Sequence, residues 1–563
     1  MRRRLLVFLS AVLLATLSAG TASWGTAVTS GTYTQDVIVR GAPIHGANGL
    51  AVSASGRLLV ASANGGEIAV LNRFTGAIVD RLDHGDDVDA PDDVAVGPDG
   101  SIYWTDIQVG EVGRRTPAGE VTKQQVGFGV NPIAFSPDGR LFVAQAFFGD
   151  ALIELDPELV DPPRVVIPNS GVPPFPNQLN GFDFGPDGHL YAPQPFLGQV
   201  VRIDPDSGEM EVVVKGLPEP PTSVEFDSKG RLYASLRYGT VVRIYPIKHT
   251  YSVFVRVPDL VSDNMTFGPK DRMFLSDSDN GAVYFVDYLR RVHELSPGGL
   301  IVPGGVALLK NSSGRETVFV ADFWSLVEYG KWGRLLDLDR QTRLPGSLIE
   351  PQTVAADGSN LILSSWLSGT VQIWNPTTDT EVALHQGFAA PVNAIRFRGD
   401  LVVAQAGNPT ATPAVPPGVL RQDAAGNRTA MKSDVALPSG LAATSDDLWV
   451  ADWVGGKVWQ LVADGTVLAT PKLTAKGLLH PEGMAVDRDG SLLVVEAGRA
   501  QLRRINLVTG GKTVVADELE IGIEASASAP PTSPGMSSVA VSADGTIFVT
   551  GDRGSVVYRL SPR

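Results

Sequence analysis

The chain has no cysteine among its 563 residues. That excludes disulfide staples, thiolate metal sites and a cysteine nucleophile, and leaves stability to packing. Charged residues are sparse at 19%, and the net charge is −15. Without a basic face the chain is not built for nucleic acid. No apolar run reaches the about 18–20 residues that a membrane-spanning helix needs, and no Gly-x-Ser-x-Gly elbow, P-loop or dinucleotide fingerprint stands out. What is plentiful is glycine (61), proline (40) and a hydrophobic fraction of 43%. This composition excludes disorder and coiled coil, and calls for two or three folded domains rich in turns and short strands.

The first residues form a separate object. Arg2-Arg3-Arg4 precede an apolar run from Leu5 to Leu17, and small residues follow through Ala22. This is the order of a secretory signal peptide, here 1–22, and it predicts a secreted or extracytoplasmic protein without stable membrane insertion. The arginine cluster matches the twin-arginine pattern only in part and leaves the export route open. No cysteine follows the run to carry a lipid anchor.

One unit recurs along the rest of the chain: an apolar triplet, a Pro-Asp-Gly-type turn, a strand, a glycine-containing turn and another strand. The clearest copy runs from Val94 through Gly97-Pro98-Asp99-Gly100 to Tyr103-Trp104-Thr105-Asp106, and others span 133–145 and 182–194. Weaker copies start at Leu50, Val224, Met265, Val306, Val354, Ile395, Leu441, Met484 and Val539, giving twelve at a mean spacing of about 44 residues. A unit of that length is one four-stranded propeller blade. Four to eight blades close a ring, so the sequence predicts an all-β protein of tandem six-bladed β-propellers, at 32–296 and 297–563, with twelve four-stranded blades. The last repeat lacks an outermost strand, and Thr32–Arg40 alternates like a displaced one. The expectation is that Thr32–Arg40 closes the first ring's sixth blade and that the segment around Tyr288–Leu295 serves the second ring's last blade, with use in simple order as the alternative. Loops at 157–179, 408–418 and 523–537 read as rim loops.

Aligning the position two before each inner strand gives, in the first ring, Asn48, Asp92, Asn131, Asn180, Thr222 and Asp263. All six bear oxygen, and in a propeller they converge at the mouth of the axis. Turn propensity alone would favour Asn and Asp there, but six of six suits a hard divalent cation, which takes oxygen ligands. Asn48, Asp92, Asn131, Asn180 and Asp263 are the candidate metal ligands. The ion expected is calcium, with magnesium or zinc as the other candidates. The matching ring in the second half is Gly304, Gln352, Asn393, Ser439, Glu482 and Ser537, with one carboxylate. His480 and Glu496 could join Glu482 in an acid/base cluster, although a structural role suits His480 better. His45, three residues ahead of Asn48, is a candidate proton shuttle.

Asn48-Gly49-Leu50 and Asn180-Gly181-Phe182, with Asp92 and Asp263, resemble the gluconolactonase / senescence-marker-protein family. That resemblance implies a six-bladed propeller with an axial divalent metal held by Asn, Asp and Glu, and hydrolysis of lactones or organophosphate esters. By the same resemblance Asp263 or Asp92 would be base or nucleophile. One departure stands out: the family's early Glu-Gly pair is replaced by Asn48-Gly49, and Glu482-Gly483 lies in the other half. The run Gly97–Gly100 with Gly110-Glu111-Val112-Gly113-Arg114 is similar to streptogramin-lyase and NHL repeats, and Tyr103-Trp104-Thr105-Asp106 to YWTD propellers. These strings are chiefly signals of fold. A secreted binding scaffold without catalysis, and a metal-dependent lyase of the streptogramin type, are the alternative readings.

Overall fold

The computed structural model describes residues 32–563 except 147–148, 172–174, 176–177, 312, 342–345, 409–410, 432–434 and 524–534. The signal-like segment 1–22 lies outside the described residues. Twelve four-stranded antiparallel sheets are present, one per sequence repeat. Helix among the described residues amounts to four three-residue 3-10 turns, and no helix there is long and apolar enough to cross a membrane.

Local chemistry explains the unit. In the second blade, inner strand Pro91–Val96 turns into Ile102–Asp106 through Pro98-Asp99-Gly100. Asp99 Oδ1 accepts from the Ser101 amide at 2.9 Å, and Gly100 takes φ +84°, a conformation that glycine enters without strain. Side chains of adjoining sheets then interlock. Trp104, fully buried, packs with Leu59, Ile68 and Val94 between the first two blades.

The first six blades occupy 50–82, 91–125, 130–167, 183–215, 221–256 and 262–296, each with its four strands in chain order. They close on themselves: Ser276 Oγ of the sixth blade donates to the Asn48 carbonyl beside the first at 2.6 Å, and Phe274 and Val283 pack with Leu50, Leu58 and Val60. The second six close likewise, through Thr550 Oγ1 and the Gly304 carbonyl, with Phe548 and Val557 against Val306 and Val318.

The expectation about the closing strands is corrected. β1 (Tyr33–Arg40) pairs antiparallel with Val556–Pro562 and completes the last blade of the second ring, while Val292–Ser296 completes the first ring's sixth blade. The first ring's strands therefore begin at Leu50 rather than at residue 32. The reason is local. The turn after Val283–Val286 is held by Asp287 Oδ1, which accepts from the Leu289 and Arg291 amides, so Val292–Ser296 folds straight back at little entropic cost. The edge of Val556–Pro562 pairs with β1.

A buried carboxylate ends the second strand of many blades and binds the loop that leads into the inner strand. Asp106 accepts from the Asp89 and Ala90 amides, Asp322 from Ile301 and Val302, Asp452 from Leu437, Glu496 from Leu479 and Asp552 from Gly522 and Ile523.

The chain passes between the rings twice, at 41–49 and at 297–302. The two passages touch: the Ala42 amide donates to the Leu300 carbonyl at 2.8 Å, and Ala42, Ile301, Val302, Phe323 and Ile523 form one apolar cluster. Deleting the chain through Arg40 should open the edge of the last blade. Hydrogen exchange should then accelerate in Ile547–Gly551 and Val556–Pro562, and stay slow in Leu58–Ser62 of the first ring.

Candidate metal centre at the first propeller mouth

The inner strands of the first ring carry register shifts at their first residues, between Pro91 and Asp93, Val130 and Ile133, Pro221 and Ser223, and Ser262 and Met265. Such bulges re-aim side chains. Consecutive residues such as Asp92 and Asp93 can then both turn toward the axis, where a regular strand would send one of them outward.

Of the sequence-predicted ring, the structure brings Asn48 together with Asp263, and Asn131 with Asn180. Asn48 Nδ2 donates to Asp263 Oδ2 at 3.0 Å, while its Oδ1 accepts from the Ala63 amide at 3.2 Å. Asn48 therefore faces Asp263 as a hydrogen-bond donor, and its oxygen is spent on the backbone. Asn131 Nδ2 lies 3.4 Å from Asn180 Oδ1, which also accepts from the Gly181 amide. Thr222 turns away, its hydroxyl 2.9 Å from Ser235 Oγ.

Asp92 stands apart. Only 7% of its surface is exposed, no described side chain or amide hydrogen-bonds its carboxylate, and its electrostatic neighbours are Asp263 and Asp93. Burial first, then repulsion by those two groups, holds its carboxyl well above the usual range. A buried carboxylate without a donor is costly.

Below the ring lie acids that the sequence reading missed. Asp93 is pushed up to about 8, by burial foremost and by Asp263, against the pull of the Val94 and Ile133 amides that donate to it. Glu225 is raised well above its usual value by burial and by Asp183, to which it is hydrogen-bonded; burial also raises Asp183. Asp183 in turn accepts from the Phe226 amide of the next blade at 2.9 Å. The signal was available: Asp93, Asp183, Glu225 and Asn264 are polar residues set inside inner strands that otherwise alternate apolar. They sit one and three places beyond the aligned position.

His45 is elsewhere. Burial lowers its pKa, its Nε2 lies 3.1 Å from the Arg553 carbonyl of the second ring, and its Nδ1 is 4.0 Å from Glu67. Among the described residues no hydrogen bond or ion pair joins it to the mouth. A separate trio, Asp89, Asp106 and Glu111, has carboxylate oxygens within 4.8 Å of one another, but Lys123 Nζ sits 3.0 Å from Asp89 and 3.7 Å from each of the others, so a protein cation already lies among them.

The second mouth is built differently. Glu482 is fully buried, Gln352 Oε1 accepts from the Trp366 amide at 2.7 Å, and Ser439 donates to the Pro481 carbonyl. Met536 joins an apolar cluster with Ala406, Leu437 and Trp366. His480 stacks on Trp453 at 3.7 Å, while Glu496 is paired with Arg499 and Arg503. His480 and Glu496 are thus each engaged in packing or ion pairing.

No family model and no curated protein matches this chain. Among solved structures it is similar to a streptogramin B lyase (16% identity, 52% of this chain and 95% of that one, TM-score 0.37). It is similar to virginiamycin B lyase from Staphylococcus aureus (15%, 52% and 96%, TM-score 0.37), and to a candidate gluconolactonase (16%, 48% and 96%, TM-score 0.37). The propeller assignment itself rests on the twelve sheets and their closure.

The raised acids set a pH dependence. A group protonated in the folded state above its unfolded pKa favours folding at low pH, and that contribution is lost as pH rises from about 4 toward the folded value. With Asp93 at about 8, and Asp277, at the end of the sixth blade's second strand, raised to about 7 by burial and by Asp279, the melting temperature in chelator should fall by about 5 °C or more between pH 5 and pH 8.5. A flat or rising profile would contradict the assignment.

Proposed function

We propose that the mouth of the first propeller holds a divalent cation and hydrolyses a small lactone or ester. The observation that carries this reading is the buried Asp92 carboxylate, which no described group hydrogen-bonds, facing Asp263 in a setting of amide side chains. The donor chemistry is all oxygen, with neither cysteine nor histidine at hand, and this favours calcium over zinc. Asp92, Asp263, Asn131 and Asn180 would hold the ion, and Asn48 would fix Asp263 through its amide. When bound, such a cation polarises a carbonyl or phosphoryl oxygen and eases deprotonation of water.

Asp92, ionised when it faces a cation, is the group to take that proton, since burial makes its carboxylate a strong base and no described group hydrogen-bonds it. Asp263, tied by Asn48, stays oriented. Burial of the mouth excludes bulk water and strengthens every electrostatic contact within it. We further read the protein as exported, on the order of charged, apolar and small residues in 2–22. The substrate is a small molecule.

Calcium titration calorimetry with a panel of lactones and esters tests the reading. Asp92→Asn and Asp263→Asn should each weaken calcium binding about tenfold or more, equivalent to about 1.4 kcal/mol, and abolish hydrolysis, while Glu482→Gln leaves both near wild type. Loss from Glu482→Gln alone would move the activity to the second ring and favour a lyase. Indifference to all three would leave a binding scaffold.

A further inference from the structure

We propose that Asp93 and Asn264 form a crossbar that floors the mouth and holds Asp92 and Asp263 face to face. The inference rests on the mouth being a cation site, and it assigns positioning roles to residues that touch neither ion nor substrate.

Asp93 of the second blade and Asn264 of the sixth are joined by Asn264 Nδ2 donating to Asp93 Oδ1 at 3.1 Å. They are 6% and 7% exposed. Each is the direct chain neighbour of a mouth carboxylate: Asp92 precedes Asp93, and Asp263 precedes Asn264. Above, the two carboxylates repel; below, their neighbours attract.

Both ends of the crossbar are anchored in the sheet. Asp93 Oδ1 also accepts from the Val94 amide at 2.9 Å, and Oδ2 from the Ile133 amide of the third blade at 3.1 Å. The Asn264 amide donates to Ser276 Oγ, whose hydroxyl donates to the Asn48 carbonyl. Asn48 is the residue that holds Asp263, so the same network reaches Asp263 from two sides.

Two glycines make room for it. A Cβ on Gly49 would overlap Asp93 Oδ1, and a Cβ on Gly181 would overlap Asn264 Oδ1. Asn264 thus extends from the sixth blade to the fourth, and Asp93 lies over the first. Four blades meet in this one layer. The Asn-Gly pairs at 48–49 and 180–181 therefore have a second meaning. The asparagine stands at the mouth, and the glycine clears the space in which the crossbar lies. In the second ring the corresponding residues are Thr353 and Ser538, too short to span an axis.

Calcium titration of the full chain, paired with terbium luminescence lifetime as a count of ion-bound water, tests this. Asn264→Ala should weaken calcium binding between about tenfold and a hundredfold, as loss of a supporting hydrogen bond does at metal sites. The terbium lifetime should shorten as water enters from below. Asp93→Asn alone should weaken binding, and the exchange Asp93→Asn with Asn264→Asp, which restores a donor–acceptor pair across the axis, should recover affinity and lifetime. If Asn264→Ala does not fold, Asn264→Ser gives the same readout with a smaller change. Wild-type affinity and lifetime in a folded Asn264 variant, with only a lower melting temperature, would overturn the crossbar while leaving the mouth reading in place. Absence of calcium and terbium binding to the wild-type protein would overturn the mouth reading and the crossbar with it.

Discussion

In both rings, several inner strands are set in place by a buried carboxylate accepting backbone N–H groups from the loop that precedes the strand. Asp106, Asp322, Asp452 and Asp552 all do this. Burying such a group costs free energy unless its oxygens are hydrogen-bonded, and leaving loop amides without acceptors costs about 1–3 kcal/mol each. The two demands answer each other. With the loop fixed, the first residues of the next inner strand have a defined position, and the bulge there decides which side chains face the axis. The chemistry at the mouth is secondary to that anchoring.

Much of the fold could be read from residues alone because a propeller repeats its instructions. An apolar triplet followed by a turn and a strand recurs twelve times, three times with Pro-Asp-Gly in the turn, so noise at any one blade is outvoted by the rest. The mouth residues Asp92 and Asp263 were legible for the same reason, as equivalent positions in aligned repeats. Strand exchange was not legible. Whether Val292–Ser296 pairs with its own blade or another depends on the short turn held by Asp287, a local preference that no repeat pattern reports. Hydrogen-bond direction was also hidden: composition places an oxygen at Asn48, but only the Ala63 amide shows that this oxygen is occupied. Asp93 and Asn264 escaped notice because they lie within strands, where alternation is read as core against solvent and the axis is a third environment.

The two rings show how one scaffold carries two differently built mouths. In the first, Asp92 lies beside Asp263 and Asp93, and Asp93 is hydrogen-bonded to Asn264. In the second, Glu496 is balanced by Arg499 and Arg503, and Met536 packs with Trp366 and Leu437. Fold similarity alone therefore says little about which mouth carries chemistry. The charge balance at each axis distinguishes them.

The pairing of β1 with Val556–Pro562 makes this a nested molecule rather than two beads on a string. The second propeller is split by the first, which enters after Arg40 and leaves by residue 302, with Ala42 and Leu300 hydrogen-bonded at the crossing. In chain order the first propeller is an insertion within a circularly permuted host. Its strands are complete once residue 296 has been synthesised, when β1 is all that exists of the host. The inner ring is therefore free to form early, and the outer ring is the step that joins the two ends of the chain.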